Sequence, residues 1–352
     1  MIRSLGPVAF LLFSLTGALA QADAGLFGDQ GVSPQTVRQG SLGNCYFYAS
    51  VAALAETQPE LLRQAIRRGE DGVLRVGFAD GKYETVHAED VQFARDGGFD
   101  LSEGVWVAVL FRGYAQRTLR TVLIESVNKS TLLPPLKSLT TGVIGSSDLV
   151  LLAYDRAIRS QIDQSGTISR KGLKTQLRKE LDSVPLLGTW RDRIVELVDS
   201  SGFFESLAAQ VKANGELFGA YRAAGSGGLS ERVLSAFTGD AHSYEIKKRD
   251  GTVAAMSLAL QRHQAVVAWT GESQANFLSN SNKAQSLLEK DADSWYVPGH
   301  AYTVLAVNSA LGTVTMRNPW GDHPAPGGEF TLSLQSFLSA YIGFSTSASG
   351  PG

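Results

Sequence analysis

The only cysteine of this 352-residue chain, Cys45, stands where a glycine-punctuated loop meets a run of small apolar residues. The loop reads Gln39-Gly40-Ser41-Leu42-Gly43-Asn44, and Ala49, Val51, Ala52, Ala53, Leu54 and Ala55 follow at once. That order predicts a loop that delivers Cys45 to the first turn of a helix. A helix N-terminus carries unpaired N–H groups and a partial positive charge, which favour thiolate over thiol. A solitary cysteine is more often a small buried apolar residue, so the rest of the chain decides. Gln39 lies close enough for its side-chain amide to point at the same spot. There it would donate to a developing oxyanion beside the Cys45 backbone N–H.

Cysteine catalysis needs a base to take the thiol proton and a polar group to orient that base. Two downstream segments offer them: Gly299-His300-Ala301-Tyr302-Thr303-Val304 and Arg317-Asn318-Pro319-Trp320-Gly321. Thr303 to Val307 reads as a buried strand, and Thr313 to Met316 as an alternating one. Asn308 to Gly312 between them reads as a turn. Pairing the two strands would bring His300 next to Asn318. His300 then serves as general base and acid, and Gly299 before it allows close approach. Asn318 orients the ring, although turn asparagines are common for their own sake. Trp320 would pack over the His300–Asn318 hydrogen bond and exclude water, or serve as ordinary core. His87, His242, His263 and His323 are scattered with no zinc-ligand spacing.

These three segments resemble the calpain family of papain-like cysteine proteases, with its QGxxGDCW-type, GHAY-type and RNPWG segments. The resemblance covers roughly residues 31–120 and 225–345. Within it, Asn44 and Tyr46 replace the family's aspartate and tryptophan beside the cysteine. The resemblance implies a papain-like α+β fold. A helical subdomain, residues 25–224, would carry Cys45, and a mostly antiparallel β subdomain, 225–347, would carry His300 and Asn318. It implies hydrolysis of peptide bonds in protein or peptide substrates through a thioester, without an organic cofactor. The family's C-terminal calcium-sensing modules are absent from the matched part. Calpains also bind calcium within the catalytic core, and no ligand set for it can be placed on this sequence.

The formal net charge of −2 gives no basic surface for nucleic acid. One cysteine forms no intramolecular disulfide. Residues 1–20 read as a cleavable signal peptide: Arg3 is basic, Val8 to Leu15 is apolar, and Ala18-Leu19-Ala20 is a small-x-small cleavage site. The apolar stretch is short for a membrane span, so export to a periplasmic or secreted location is expected, with no transmembrane segment in the mature chain. The sequence says nothing of oligomeric state.

Helices are expected after Cys45 to Thr57, from Pro59 to Arg68, and from Trp106 to Leu119. Asp80-Gly81 between alternating runs predicts a hairpin within 71–87. Pro134-Pro135 and the stretch 142–147 break the chain. Residues 148–221 are mainly helical by spacing, within an insertion at about 125–221 that the family pattern does not match. Strands are expected at 242–247, 252–257, 263–270, 301–307, 312–317 and 328–333. Asp163 to Ile168 imitates a calcium loop but lacks a carboxylate at its first and last positions, Gln161 and Gly172, so it reads as a turn between helices. Two other function classes stay open at this stage. One is a catalytically silent papain-like binding or scaffold protein. The other is transglutaminase-type acyl transfer to an amine.

Overall fold

The computed structural model describes residues 25–69, 71–128, 148–182, 190–200, 202–246, 249–271, 296–322 and 328–349. Residues 1–20, expected as a signal peptide, the expected breaks at Pro134-Pro135 and 142–147, and His323 lie outside them. The fold is α+β. It divides into two compact units: one holds the described residues up to Tyr114 and from Gly225 onward, the other runs from Ala115 to Ala224.

The first unit is built around helix α1 (Cys45–Thr57), whose residues from Tyr46 to Ala55 are all buried. A helix apolar on every side has no solvent face to offer and becomes the core around which other elements pack. Pro59 opens α2 (Pro59–Ala65), its fixed φ being suited to a first helical turn. The expected continuation to Arg68 does not occur. The β-branched Ile66 instead starts β1 (Ile66–Arg68), which pairs antiparallel with β2 (Leu74–Gly77). β2 then pairs with β3 (Tyr83–Val86) across the Asp80-Gly81 turn. Next come α3 (Ala88–Asp96) and α4 (Trp106–Asn128), longer than expected.

The second unit takes the later turns of α4 and adds α5 (Asp148–Ser165), α6 (Arg170–Asp182), α7 (Trp190–Ser200), α8 (Phe203–Phe218) and α9 (Ala220–Gly225) up to Ala224. Leu173, Leu177 and Leu181 recur at helical spacing on α6 and are buried. They share the unit's interior with Tyr154, Ile158, Ile194 and Val198.

The chain returns to the first unit through α10 (Ser230–Thr238), β4 (Ala241–Glu245), α11 (Arg249–Gln261) and β5 (Val266–Thr270). β6 (Ala301–Asn308), β7 (Thr313–Arg317), β8 (Glu329–Ser333), α12 (Leu334–Ala340) and β9 (Tyr341–Ser347) follow. The six strands form one antiparallel sheet in the order β4-β9-β5-β6-β7-β8. Two features differ from the sequence reading. Residues 252–257, expected as a strand, lie in α11: Thr252, Met256 and Ala259 are its buried positions, a helical period that the β-branched pair Thr252-Val253 disguises. β9 has no counterpart among the expected strands, although it lies between β4 and β5. The sheet's apolar interior gathers Met256, Val266, Ala268, Tyr302, Val304, Met316, Phe337 and Phe344. Thr303 ties the sheet to the central helix, its Oγ1 donating to the Ala49 carbonyl at 2.8 Å.

Candidate active site

Cys45 is the first residue of α1, with Asn44 at the N-cap. The loop before it is held from behind. Gly40 N–H donates to Phe99 O at 3.2 Å, and Ser41 N–H to Gly98 O at 2.8 Å. A side chain at position 40 would collide with the Gly98 carbonyl, so only glycine admits that approach. On the other side Gly227 N–H donates to Gly43 O at 2.9 Å. A Cβ on Gly228 would collide with the Tyr46 ring. The loop therefore meets backbone on two sides, and its glycines are what let it.

His300 immediately precedes β6. Its backbone is fixed by Thr270 in both directions: His300 N–H donates to Thr270 Oγ1 at 3.0 Å, and Thr270 N–H donates to His300 O at 3.0 Å. Asn318 immediately follows β7, and the pairing of Thr303 with Arg317 carries the two side chains together. His300 Nε2 lies 2.9 Å from Asn318 Oδ1. Oδ1 carries no proton, so the ring nitrogen facing it is the donor and Nδ1 is left to exchange a proton. Oδ1 also accepts from the Trp320 backbone N–H at 3.1 Å. The Trp320 ring sits 4.8 Å from the imidazole, and Tyr302 meets it edge-on at 4.8 Å. His300 is 5% exposed and Asn318 is fully buried.

A cavity of about 530 Å³ is lined by Gln39, Cys45, Tyr46, Gly299, His300 and Trp320, among others. Of the residues expected from sequence, only Asn318 does not line it; it reaches the cavity through His300. The Cys45 thiol is pushed above its ordinary value by burial, opposed first by the backbone N–H of Ala301 and then by those of Tyr46 and Cys45. The helix N-terminus thus acts in the direction expected, but burial outweighs it. Among the described residues that line the cavity, His300, the neighbour of Ala301, is the side chain that can take up a proton to become a cation. Gln39 Nε2 donates one hydrogen to Leu42 O at 2.7 Å. The other hydrogen of that amide remains for a ligand, and Gln39 Oε1 is buried without a partner.

One contributor carried no sequence signal. Thr270 is one hydroxyl at the end of an apolar strand. Asn44 is fully buried with neither side-chain polar atom hydrogen-bonded. The other described histidines lie elsewhere: His87 caps α3, its N–H donating to Asp90 Oδ2 at 3.2 Å; His242 lies 3.3 Å from Asp240 in an exposed pair; His263 lies in the turn after α11 with φ 54°. Gly166 turns the chain between α5 and α6. Among the described residues no group of three or more His, Cys, Asp or Glu is placed to hold a metal ion. Among the described residues no helix is long and apolar enough to cross a membrane.

The profile of the calpain family cysteine proteases matches residues 18–193 and 182–331, most of the chain, with Gln39, Cys45, His300, Asn318 and Trp320 inside the match. The protein belongs to the calpain family. Membership indicates a cysteine peptidase at the level of the family, with proteins as its class of substrate. No curated protein matches the chain. Among solved structures it is similar to PepW from Lactobacillus rhamnosis, at 12% identity over 99% of this chain and 93% of that one, with a TM-score of 0.34.

Proposed function

We propose that the protein is an exported cysteine endopeptidase that cleaves protein substrates through a thioester acyl-enzyme. The observation that carries this reading is the His300–Asn318 hydrogen bond at 2.9 Å, beside a thiol in the same cavity. His300 Nδ1 takes the Cys45 proton, and the sulfur attacks the substrate carbonyl carbon. The developing oxyanion accepts from the Cys45 backbone N–H and the second amide hydrogen of Gln39. The C–N bond breaks as His300 returns the proton to the leaving amine, and water then hydrolyses the thioester by the same base. Asn318 keeps the ring in the working tautomer, and Trp320 shields that bond from water. Among the described residues no Asp, Glu, Lys or Arg lines the cavity, which suits uncharged substrate side chains next to the scissile bond.

The same reading takes a papain-like arrangement, with Cys45 on the helical part and His300 and Asn318 on the β-rich part. It treats the helices at 125–221 as an insertion in the catalytic chain. It needs no organic cofactor, and leaves calcium as a condition to be varied. Export is tested by sequencing the N-terminus of the mature protein, expected to begin at Gln21.

Activity is tested on an unfolded protein substrate, with calcium and with a chelator, beside Cys45→Ala. The wild type is expected to cleave and Cys45→Ala to lose at least about 10³-fold, the scale of removing a catalytic nucleophile. No cleavage by the wild type in either condition rules out the peptidase. Incorporation of a labelled amine without cleavage assigns acyl transfer instead.

A further inference from the structure

Arg317, one residue before Asn318, is fully buried. Among the described residues its guanidinium makes one hydrogen bond, Nη2 to Val37 O at 2.6 Å. Nε and Nη1 are buried with no partner, and no carboxylate pairs with it. Burial pulls its pKa down to about 10, opposed by Glu329 on the facing strand. It is still a cation at neutral pH. A buried cation with idle donors is costly, and an apolar residue of similar volume is often neutral or stabilising in its place. Core stability therefore gives no reason for an arginine here.

The carbonyl that Arg317 holds suggests one. Val37 lies two residues before Gln39, and the strip 35–39 runs along the asparagine loop. Gln39 N–H donates to Pro319 O at 2.8 Å. Gln35 Nε2 donates to Glu329 Oε1 at 2.9 Å, and Arg38 pairs with Asp322 at 3.0 Å. The last two contacts are exposed, and exposed pairs hold little. The Arg317–Val37 bond is buried and charge-assisted, the stronger kind. It joins the segment that carries Gln39 to the segment that carries Asn318.

We infer that Arg317 is a positioning residue: it locks the cysteine loop onto the asparagine loop and so fixes Gln39 relative to the Cys45–His300 pair. This rests on the peptidase reading for its catalytic consequence, but the clamp itself can be measured without turnover.

The test compares Arg317→Met with Arg317→Lys in the full mature chain. Methionine fills the space without a charge. Lysine keeps one charged donor able to reach Val37 O. In Arg317→Met the Gln39 amide is expected to exchange with solvent about tenfold faster or more. kcat is expected to fall roughly 10- to 100-fold with KM within about threefold, the scale of a displaced oxyanion donor, while the melting temperature holds or rises. Arg317→Lys is expected to recover part of both losses, and carries the test alone if the methionine variant does not fold. An unchanged Gln39 exchange rate overturns the inference. So does kcat within about twofold of wild type, or a kcat loss matched by a drop in melting temperature. If the wild type cleaves nothing, the peptidase reading fails and amide exchange still decides the clamp.

Discussion

Two forces act on Cys45 in opposite directions. Burial raises its pKa, and the N–H groups of Ala301, Tyr46 and Cys45 lower it without cancelling the rise. On the proposed mechanism, an imidazolium at His300 is what favours a thiolate near neutral pH. In His300→Ala the thiol is expected to titrate above its ordinary 9.0. Alkylation by iodoacetamide at pH 6 should then fall by roughly 100-fold or more, because the thiolate is the reacting form. The sign follows from the neutral thiol being the form that burial favours: reactivity returns only as pH rises through the elevated pKa. A His300→Ala protein that still alkylates with a midpoint below pH 7 would show that the backbone donors alone make the thiolate. At this scale the sequence was legible where a residue type is rare or demanded by chemistry. Cys45 opens a helix after a glycine-rich loop, His300 follows Gly299, and Asn318 precedes Pro319. Thr270 and Arg317 were not legible, since a threonine ending a strand and an arginine beside a turn usually face water. Only pairing across the sheet places them inside.

Elements hold these residues through irregular segments more than through regular ones. Asp100 is the buried centre of one: it accepts from Ser102 Oγ at 2.7 Å and Tyr48 Oη at 3.1 Å, and pairs with Arg95 at 3.2 Å. Arg95 on α3 also donates to the carbonyls of Ser102 at 2.5 Å and Gly104 at 2.7 Å. That knot shapes the 98–104 segment on which Gly40 and Ser41 rest. Burial keeps the Asp100 carboxyl above its ordinary value, with Ser102 the first of the groups opposing it. Arg95→Met strands a buried carboxylate, at an expected cost of about 2–4 kcal/mol at pH 7, reduced from a fully buried pair by the partial exposure of Arg95. Asp100 is an acid with a raised folded pKa, so its ionisation takes stability away as pH rises through that value. Without Arg95 the value climbs further, and the deficit should be greatest at neutral pH and shrink toward pH 4.5 as Asp100 is protonated. Urea unfolding at the two pH values measures it, and a deficit that does not change with pH contradicts the account. None of this was readable along the chain. Asp100 and Arg95 look like ordinary surface charges until the loop folds back over them. β9 was missed for a related reason: Ser345-Thr346-Ser347 reads as a polar tail, and only its neighbours β4 and β5 make it a central strand. α11 was misread because Thr252 and Val253 favour strand while the buried period belongs to a helix.

At the scale of the whole chain, the proposed catalytic residues and the helices at 115–224 have separate interiors. Cys45, His300 and Asn318 lie in the unit whose core is α1 and the six-stranded sheet. The other unit buries Leu173, Leu177 and Leu181 of α6 with Ile158 and Val198, and the Tyr154 hydroxyl donates to Ile194 O at 2.7 Å in the same interior. The helical character of this stretch was legible from spacing, because amphipathic periods survive without knowledge of partners. Its compactness was not, since which faces meet is set by packing between segments far apart in sequence. Two interiors imply two places where a core mutation can act. Leu177→Ala removes a fully buried leucine, with an expected cost of about 2–5 kcal/mol, and that cost belongs to the helical unit. Calorimetry is expected to resolve two transitions, of which Leu177→Ala lowers one, while iodoacetamide labelling of Cys45 at pH 6 keeps the wild-type rate below that transition. A single transition that shifts as a whole, with loss of Cys45 labelling as it is crossed, would mean that the two units unfold as one cooperative body and that the helices contribute directly to the stability of the active site.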